Sequence, residues 1–300
     1  MFTLLKSPMR GSLRYVNVYY IESNGESLLV DTGFPLQESI DILNNFLKGK
    51  SKPRKVVVTH YHPDHLGLVS LFKGSDIYLH EKEIETINYL ISDEFENFIR
   101  RVFSENGIPS EVESSLMRGR ELVRQSINGV KLNPLEETVE VGDLKFRVLW
   151  TPGHTPGHVC LIIEDKGFCG DHVLNKITPN VSLLFPDSNP LRDYLMSLDK
   201  LLKLNLSVIY PAHGDPIIDV KKRVEEIKLH HEERLKEIID SLTSGSLTTF
   251  EIVKKIKWYK KWEELSPVDK QLAVGETLAH LVYLEEKGLI KRVNNRWKLY

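Results

Sequence analysis

The sequence predicts an α/β chain, in which sheets are covered by helices, with a small winged-helix-like unit at its end. Three observations predict it. Short β-branched runs alternate with helical patterns over the first two-thirds of the chain. A long polar helix then runs over 220–242 and stops at Ser244-Gly245-Ser246. After that stop come two further helices, a glycine and a hairpin.

The elements follow in order. Residues 13–21 and 27–30 read as antiparallel strands turned at Asn24-Gly25. Residues 55–59 (Lys-Val-Val-Val-Thr) are short, apolar and β-branched, which is the pattern of a buried strand. Further strands are expected at 77–80, 144–150, 159–164 and 207–210, and helices at 36–47, 66–72 and 191–204. Residues 83–127 are mostly helical, with a break at Asn106-Gly107-Ile108-Pro109. That is more than a connection between strands needs, so either a lid or pocket wall, or a helical pair that only packs on the body, is expected there. In the tail, helices at 248–256 and 269–287, a cap at Gly288, and strands at 289–293 and 296–300 joined by Asn294-Asn295 outline the winged helix.

Composition narrows the function. The chain has 300 residues, 41% apolar and 27% charged, which is ordinary for a globular protein. No apolar run approaches the ~18 residues that span a bilayer. The start lacks a long apolar stretch and a small-residue cleavage site, so no signal peptide and no membrane are expected. The net charge of -2 excludes a protein that coats nucleic acid by charge alone. Two cysteines, Cys160 and Cys169, flank a turn and are expected to be buried free thiols in a reducing cytoplasm.

One segment carries chemistry. Residues 59–65 read Thr-His60-Tyr61-His62-Pro63-Asp64-His65, directly after the apolar strand. On an irregular loop, His60 and His62 can point one way and Asp64 and His65 another, which suits two adjacent metals. Packing gives no reason for four such side chains in six residues. His154, Asp171 and His213 each follow a predicted strand beside glycine or proline. Those neighbours make the tight loops that turn a side chain back into a cleft.

With Asp31-Thr32-Gly33, the His60–His65 run, His154, Asp171 and His213 in this order, residues 13–218 resemble the metallo-β-lactamase superfamily. The resemblance implies a four-layer αβ/βα sandwich with metals at one edge of two facing sheets. It implies His60, His62 and His154 on one metal, Asp64, His65 and His213 on the other, and Asp171 bridging. The expected domains are 1–219 for the catalytic part, 220–245 for a linking helix and 246–300 for the winged helix. His62 departs from the flavodiiron branch, where a Glu is typical.

Two Zn²⁺ are the expected cofactors, with Fe or Mn accepted by the same donors. A hydroxide bridging the pair would attack the substrate, with Asp64 orienting it and passing a proton. Asp31 and His158 are expected behind the ligands, His158 holding the loop that carries His154, and His172 and Lys176 are expected either to touch substrate or to be purely structural. Phe95, Phe98, Ile99, Val102 and Phe103 of the insertion are expected to shape a pocket for a small acyl substrate such as a thioester. The alternative partner is RNA. Residues 246–300 carry 11 Lys and Arg against 7 Asp and Glu, and aromatics interleave with lysines over 254–262. Against it, the helix over 269–287 is acidic, so the tail is expected to support a homodimer or wall the site.

Overall fold

The computed structural model describes residues 2–11 and 13–300. Met1 and Ser12, both within the expected catalytic domain, lie outside them.

Two sheets form the centre. In the first, β1 (Phe2–Pro8), β2 (Tyr15–Ser23) and β3 (Glu26–Val30) run antiparallel. β4 (Lys55–Val57), β5 (Asp76–Leu79) and β6 (Leu132–Pro134) extend it in parallel. The β2–β3 turn has Asn24 at φ 47° and Gly25 at φ 78°. Two left-handed residues are what a tight hairpin needs to match the strand twist. In the second sheet, β7 (Thr138–Val141), β8 (Leu144–Trp150), β9 (Val159–Ile163) and β10 (Lys166–Phe168) are antiparallel, and β11 (Val208–Tyr210) lies parallel to β10.

The strand alternation explains the layers. On β2, Tyr19 and Ile21 point between the sheets, where they meet Val139, Val141, Phe146, Leu161 and Phe168. Val18 and Tyr20 point the other way, into a second cluster under helices. A strand buried on both faces has no polar stripe, which is why 15–21 reads as nearly continuous apolar sequence. Each such buried side chain contributes roughly 1.5–3 kcal/mol. α1 (Gln37–Leu47), α3 (Glu81–Leu90), α4 (Asp93–Asn106) and α5 (Ser110–Ser126) cover the first sheet. α6 (Pro190–Leu202) and α7 (Val220–Leu242) cover the second. The result is the expected four-layer αβ/βα sandwich.

The structure also corrects details. β1, β6 and β7 were not expected; all but β1 are four residues or shorter. On β1, four of the first five residues face solvent, so the hydrophobic pattern is weak. The insertion is three helices, not a broken pair, and it begins at Glu81. Its aromatics do not shape an open pocket. Phe95, Ile99 and Phe103 are buried in the core, with Phe98 and Val102 packed against them. An amphipathic stripe on a helix looks the same whether it lines a cavity or fills a core.

In the tail, α8 (Thr249–Lys255), α9 (Pro267–Glu286), β12 (Ile290–Val293) and β13 (Arg296–Leu299) pack with the end of α7. α9 also reaches into the sandwich. Val274 and Leu278 join the cluster under the insertion, and Ala279 joins the cluster under α6. The tryptophans of 254–262 turn inward. Arg234 caps Trp258 at 4.3 Å, and Trp262 packs on Phe250 at 5.3 Å. Cys160 and Cys169 are buried free thiols on β9 and just after β10. Among the described residues, no helix is long and apolar enough to cross a membrane.

Candidate metal centre

Strand ends bring the site together. Asp31 follows β3, His60 comes shortly after β4, Asp171 follows β10 and His213 follows β11. α2 (Pro63–Leu66) starts inside the histidine run, with proline at its first position, where a missing N–H costs nothing. The loop is pinned from Asp31-Thr32-Gly33: the Thr32 amide and hydroxyl both donate to the His65 carbonyl, at 2.8 and 2.7 Å. The His213 loop is pinned from the other sheet. Asn17 on β2 donates to the carbonyls of Pro211 and Gly214 at 2.9 and 2.8 Å, and the Tyr19 hydroxyl donates to Pro211 at 2.7 Å.

The seven expected ligands fall into two adjacent groups. In the first, His60 Nε2, His62 Nδ1 and His154 Nε2 lie 3.0–3.2 Å from one another. Nitrogens bound at ~2.0–2.1 Å to one tetrahedral cation would lie roughly 3.3 Å apart. Hydrogen bonds on the far side of the rings assign the tautomers. His154 Nδ1–H donates to the Asn180 carbonyl at 2.7 Å, and His60 Nδ1–H to the Thr59 hydroxyl at 3.1 Å. Two Nε2 lone pairs therefore face each other at 3.2 Å. Such a contact is repulsive until a cation or a proton enters it.

In the second group, His213 Nε2 lies 3.2 Å from Asp64 Oδ2 and 3.4 Å from Asp171 Oδ1, and His65 Nε2 lies 3.6 Å from each. The other Asp171 oxygen lies 3.6 Å from His154 Nε2, so this carboxylate faces both groups. His65 Nε2, His213 Nε2 and Asp171 Oδ1 are buried without a hydrogen-bond partner. Buried polar atoms are nearly always satisfied. Two imidazole nitrogens and a carboxylate oxygen left without hydrogen-bond partners, at this spacing, fit a divalent cation.

Charge separates the groups. Burial, then the facing imidazoles, hold His60 well below its usual value and bring His62 down to about 3. Burial opposes the charged form of His213 too, but Asp171 and Asp64 outweigh it and push the ring up to about 10. His65 is likewise raised, against burial, by Asp31, Asp64 and Asp171. Asp64 is brought down to about 2, against burial, by His65 and His213.

Asp31 and His158 stand behind the ligands. Asp31 Oδ2 accepts from His65 Nδ1 at 2.8 Å, while Oδ1 accepts the Thr59 amide at 2.7 Å. It does so from a left-handed φ of 62°. His158 holds two loops: its carbonyl accepts the Thr151 amide at 2.9 Å and its Nδ1 meets the Thr151 hydroxyl at 2.8 Å, which closes the loop that carries His154, while its Nε2 accepts the Asp171 amide at 3.2 Å. Gly170 lets this happen, since a Cβ there would lie 2.7 Å from that nitrogen. His172 corrects an expectation: it is fully buried, between His158 and Tyr194, and offers no surface to a substrate. Lys176 is exposed on the following loop. His80, His230, His231 and His280 lie outside both groups.

Three contributors were not legible as functional. Glu83, fully buried in the first turn of α3, accepts the Tyr61 amide at 2.6 Å through one oxygen. Its other oxygen accepts Thr155 Oγ1 at 3.0 Å and the Gly157 amide at 2.7 Å. One carboxylate thus ties the His60–His62 loop to the His154 loop. Burial pushes it up to about 7, against the pull of those three hydrogen bonds. Gly157 is required beside it, since a Cβ there would lie 2.3 Å from the Glu83 nitrogen. Thr59 and Asn180 are the others. An acid in a first helical turn ordinarily reads as a solvated partner of the helix dipole, so no local signal marked Glu83.

Known proteins resemble this chain in sequence and fold. The family model described as the metallo-beta-lactamase superfamily matches residues 11–213. A metallo-beta-lactamase family protein from Thermus thermophilus superposes with a TM-score of 0.84 at 33% identity, over 100% of this chain and 98% of its own. The Bacillus subtilis (strain 168) protein named "Probable metallo-hydrolase YqjP" is 26% identical over 91% of this chain and 89% of its own length. An "Atrochrysone carboxyl ACP thioesterase" of Passalora fulva is 24% identical over 84% of this chain and 66% of its own. With the sandwich, the strand-end loops and this match over two-thirds of its length, the chain belongs to the metallo-beta-lactamase superfamily.

Proposed function

We propose that the chain is a dinuclear metal-dependent hydrolase acting on a carbonyl substrate, a thioester or related ester. The observation that carries this is the set of buried atoms without hydrogen-bond partners, His65 Nε2, His213 Nε2 and Asp171 Oδ1, beside three imidazole nitrogens within 3.2 Å of one another. His60, His62 and His154 would hold one cation, and Asp64, His65 and His213 the other, with Asp171 shared. Zinc suits these donors best, and iron or manganese fit the same set. When bound, such a pair supplies a water activated near neutral pH and polarises the scissile carbonyl.

The side chains do the rest. Asp64 is only partly buried as a residue, and it stays ionised at neutral pH. It orients the attacking water and carries its proton to the leaving group. Asp31 and the Asn180 carbonyl keep the His65 and His154 lone pairs turned inward. The loop after Asp171 carries Lys176 and Ile177, both exposed to solvent.

The acyl class draws its support from the relative named as a thioesterase. The buried free thiols fit a reducing compartment, so the proposal includes a cytoplasmic location. A second reading, RNA cleavage with the tail as a winged-helix clamp, is favoured by exposed Lys254, Lys255, Lys257, Lys260 and Lys261. No ion pair is formed by them among the described residues. The partly buried tryptophans, packed on Arg234 and Phe250, weigh against it, because of the aromatics in that stretch only Tyr259 is exposed for stacking.

The test is turnover by zinc-loaded protein on acyl-thioesters, lactones and single-stranded RNA. Thioester hydrolysis is the expected result. No turnover on either ester class with both metals bound overturns the acyl reading. RNA binding that weakens steeply with salt would put the second reading in its place.

A further inference from the structure

His154 is turned by a backbone carbonyl, and that carbonyl is held by the C-terminal segment. Asn180 O accepts His154 Nδ1–H at 2.7 Å. The Asn180 side-chain amide donates to two acceptors on α9: the Leu272 carbonyl at 3.2 Å and Glu276 Oε2 at 3.3 Å. Ser182 donates to the Asn180 amide oxygen, and the Leu183 amide donates to the Gly275 carbonyl at 3.0 Å. The approach is so close that a Cβ at Gly275 would lie 2.4 Å from Ser182 Oγ.

Glu276 is held in turn. It is a buried carboxylate on a helix that is apolar on most sides, a costly place for a charge without partners. Arg234 of α7 donates to its other oxygen, Oε1, at 3.2 Å. The same guanidinium donates to Glu237 at 2.7 Å and to the Lys257 carbonyl at 2.8 Å, and it lies over Trp258. A buried pair replaced by apolar residues is often no less stable, so stability alone gives little reason to keep this one. Orientation of the loop gives a reason.

We propose that Glu276, clamped by Arg234, is a positioning residue for the metal centre: through Asn180 it fixes the ring of His154, which makes the C-terminal helix part of the active site. This deepens the function proposed above and rests on His154 being a ligand. The tail then needs no nucleic acid to account for its attachment. It sets the donor geometry of the three-histidine group, and it does not touch the group around His65 and His213.

The experiment compares Glu276→Ala, Glu276→Gln, Asn180→Ala and His154→Ala. Metal affinity is read by chelator competition, and the visible spectrum is taken after loading with cobalt(II). Asn180→Ala keeps the backbone carbonyl and leaves the α9 core untouched, so it tests the chain of contacts even where Glu276→Ala fails to fold. Expected for Asn180→Ala and Glu276→Ala is a fall of about tenfold in affinity for one of the two metals, the low end for residues behind a ligand. A shifted cobalt spectrum and a lower kcat at similar KM should accompany it. Glu276→Gln keeps an acceptor for the Asn180 amide and should restore most of the affinity. Wild-type affinity and an unchanged spectrum in both Asn180→Ala and Glu276→Ala overturn the inference while His154→Ala still loses a metal. If His154→Ala keeps both metals, the reading of the metal centre itself has failed.

Discussion

The two halves of the site share Asp171 and lie side by side, yet they are built from different materials. Behind His60 and His154 stand neutral acceptors, the Thr59 hydroxyl and the Asn180 carbonyl. Burial among imidazoles keeps these rings neutral. Behind His65 stands a carboxylate, Asp31, and in front of both His65 and His213 stand Asp64 and Asp171. That half holds protons wherever it holds no cation. The first half is therefore preorganised by geometry and the second by charge, and different perturbations should separate them.

The largest separation should come from Asp64→Asn. It removes the charge of the second half and the group assigned to orient water, so kcat should fall by about 10²–10⁴. Metal analysis should show a smaller loss, confined to one cation. Most of the activity surviving at full metal load would remove the role given to Asp64.

Glu83→Ala should act on the other half. It frees the Tyr61 amide between His60 and His62, and the Thr155 and Gly157 contacts beside His154. Affinity at the three-histidine group should drop by about 10–100-fold, with the second half little changed. Metal titration by calorimetry checks this, and equal weakening of both sites would show that Glu83 supports the fold at large.

The smallest effect is in pH. In metal-free protein the His213 ring is raised from 6.5 to about 10. A raised imidazole stabilises the folded state fully below its unfolded value, and that contribution disappears as pH rises through the folded value. The Tm of metal-free protein should therefore decline between about pH 6.5 and 10, and metal-loaded protein should show less of this decline, because the cation replaces the proton. Parallel pH profiles with and without chelator would contradict the charge-based second half.

These contrasts also show what a sequence can reveal. The ligands were legible because they crowd into short stretches with proline and glycine, where packing has no use for them. The sandwich was legible because strands such as β2 and β4 are apolar on both faces. What holds the ligands was not. Glu83 meets partners 22 and 74 residues away, and Asn180 meets Glu276 96 residues away, so neither leaves a local pattern. Phe95 and Trp258 carried a pattern, but one that a core and a binding surface share. The chain's spacing cannot say which side of a helix will be covered.

Asn17 joins parts of the chain that lie 194 and 197 residues apart, and its two bonds shut the second sheet against the first at the ligand edge. Such distant pairings are slow to form, since a long stretch of chain must be closed before any contact rewards it. The last histidine arrives with that closure. During refolding, uptake of the second cation should therefore lag behind formation of either sheet and mark the moment at which the two have met.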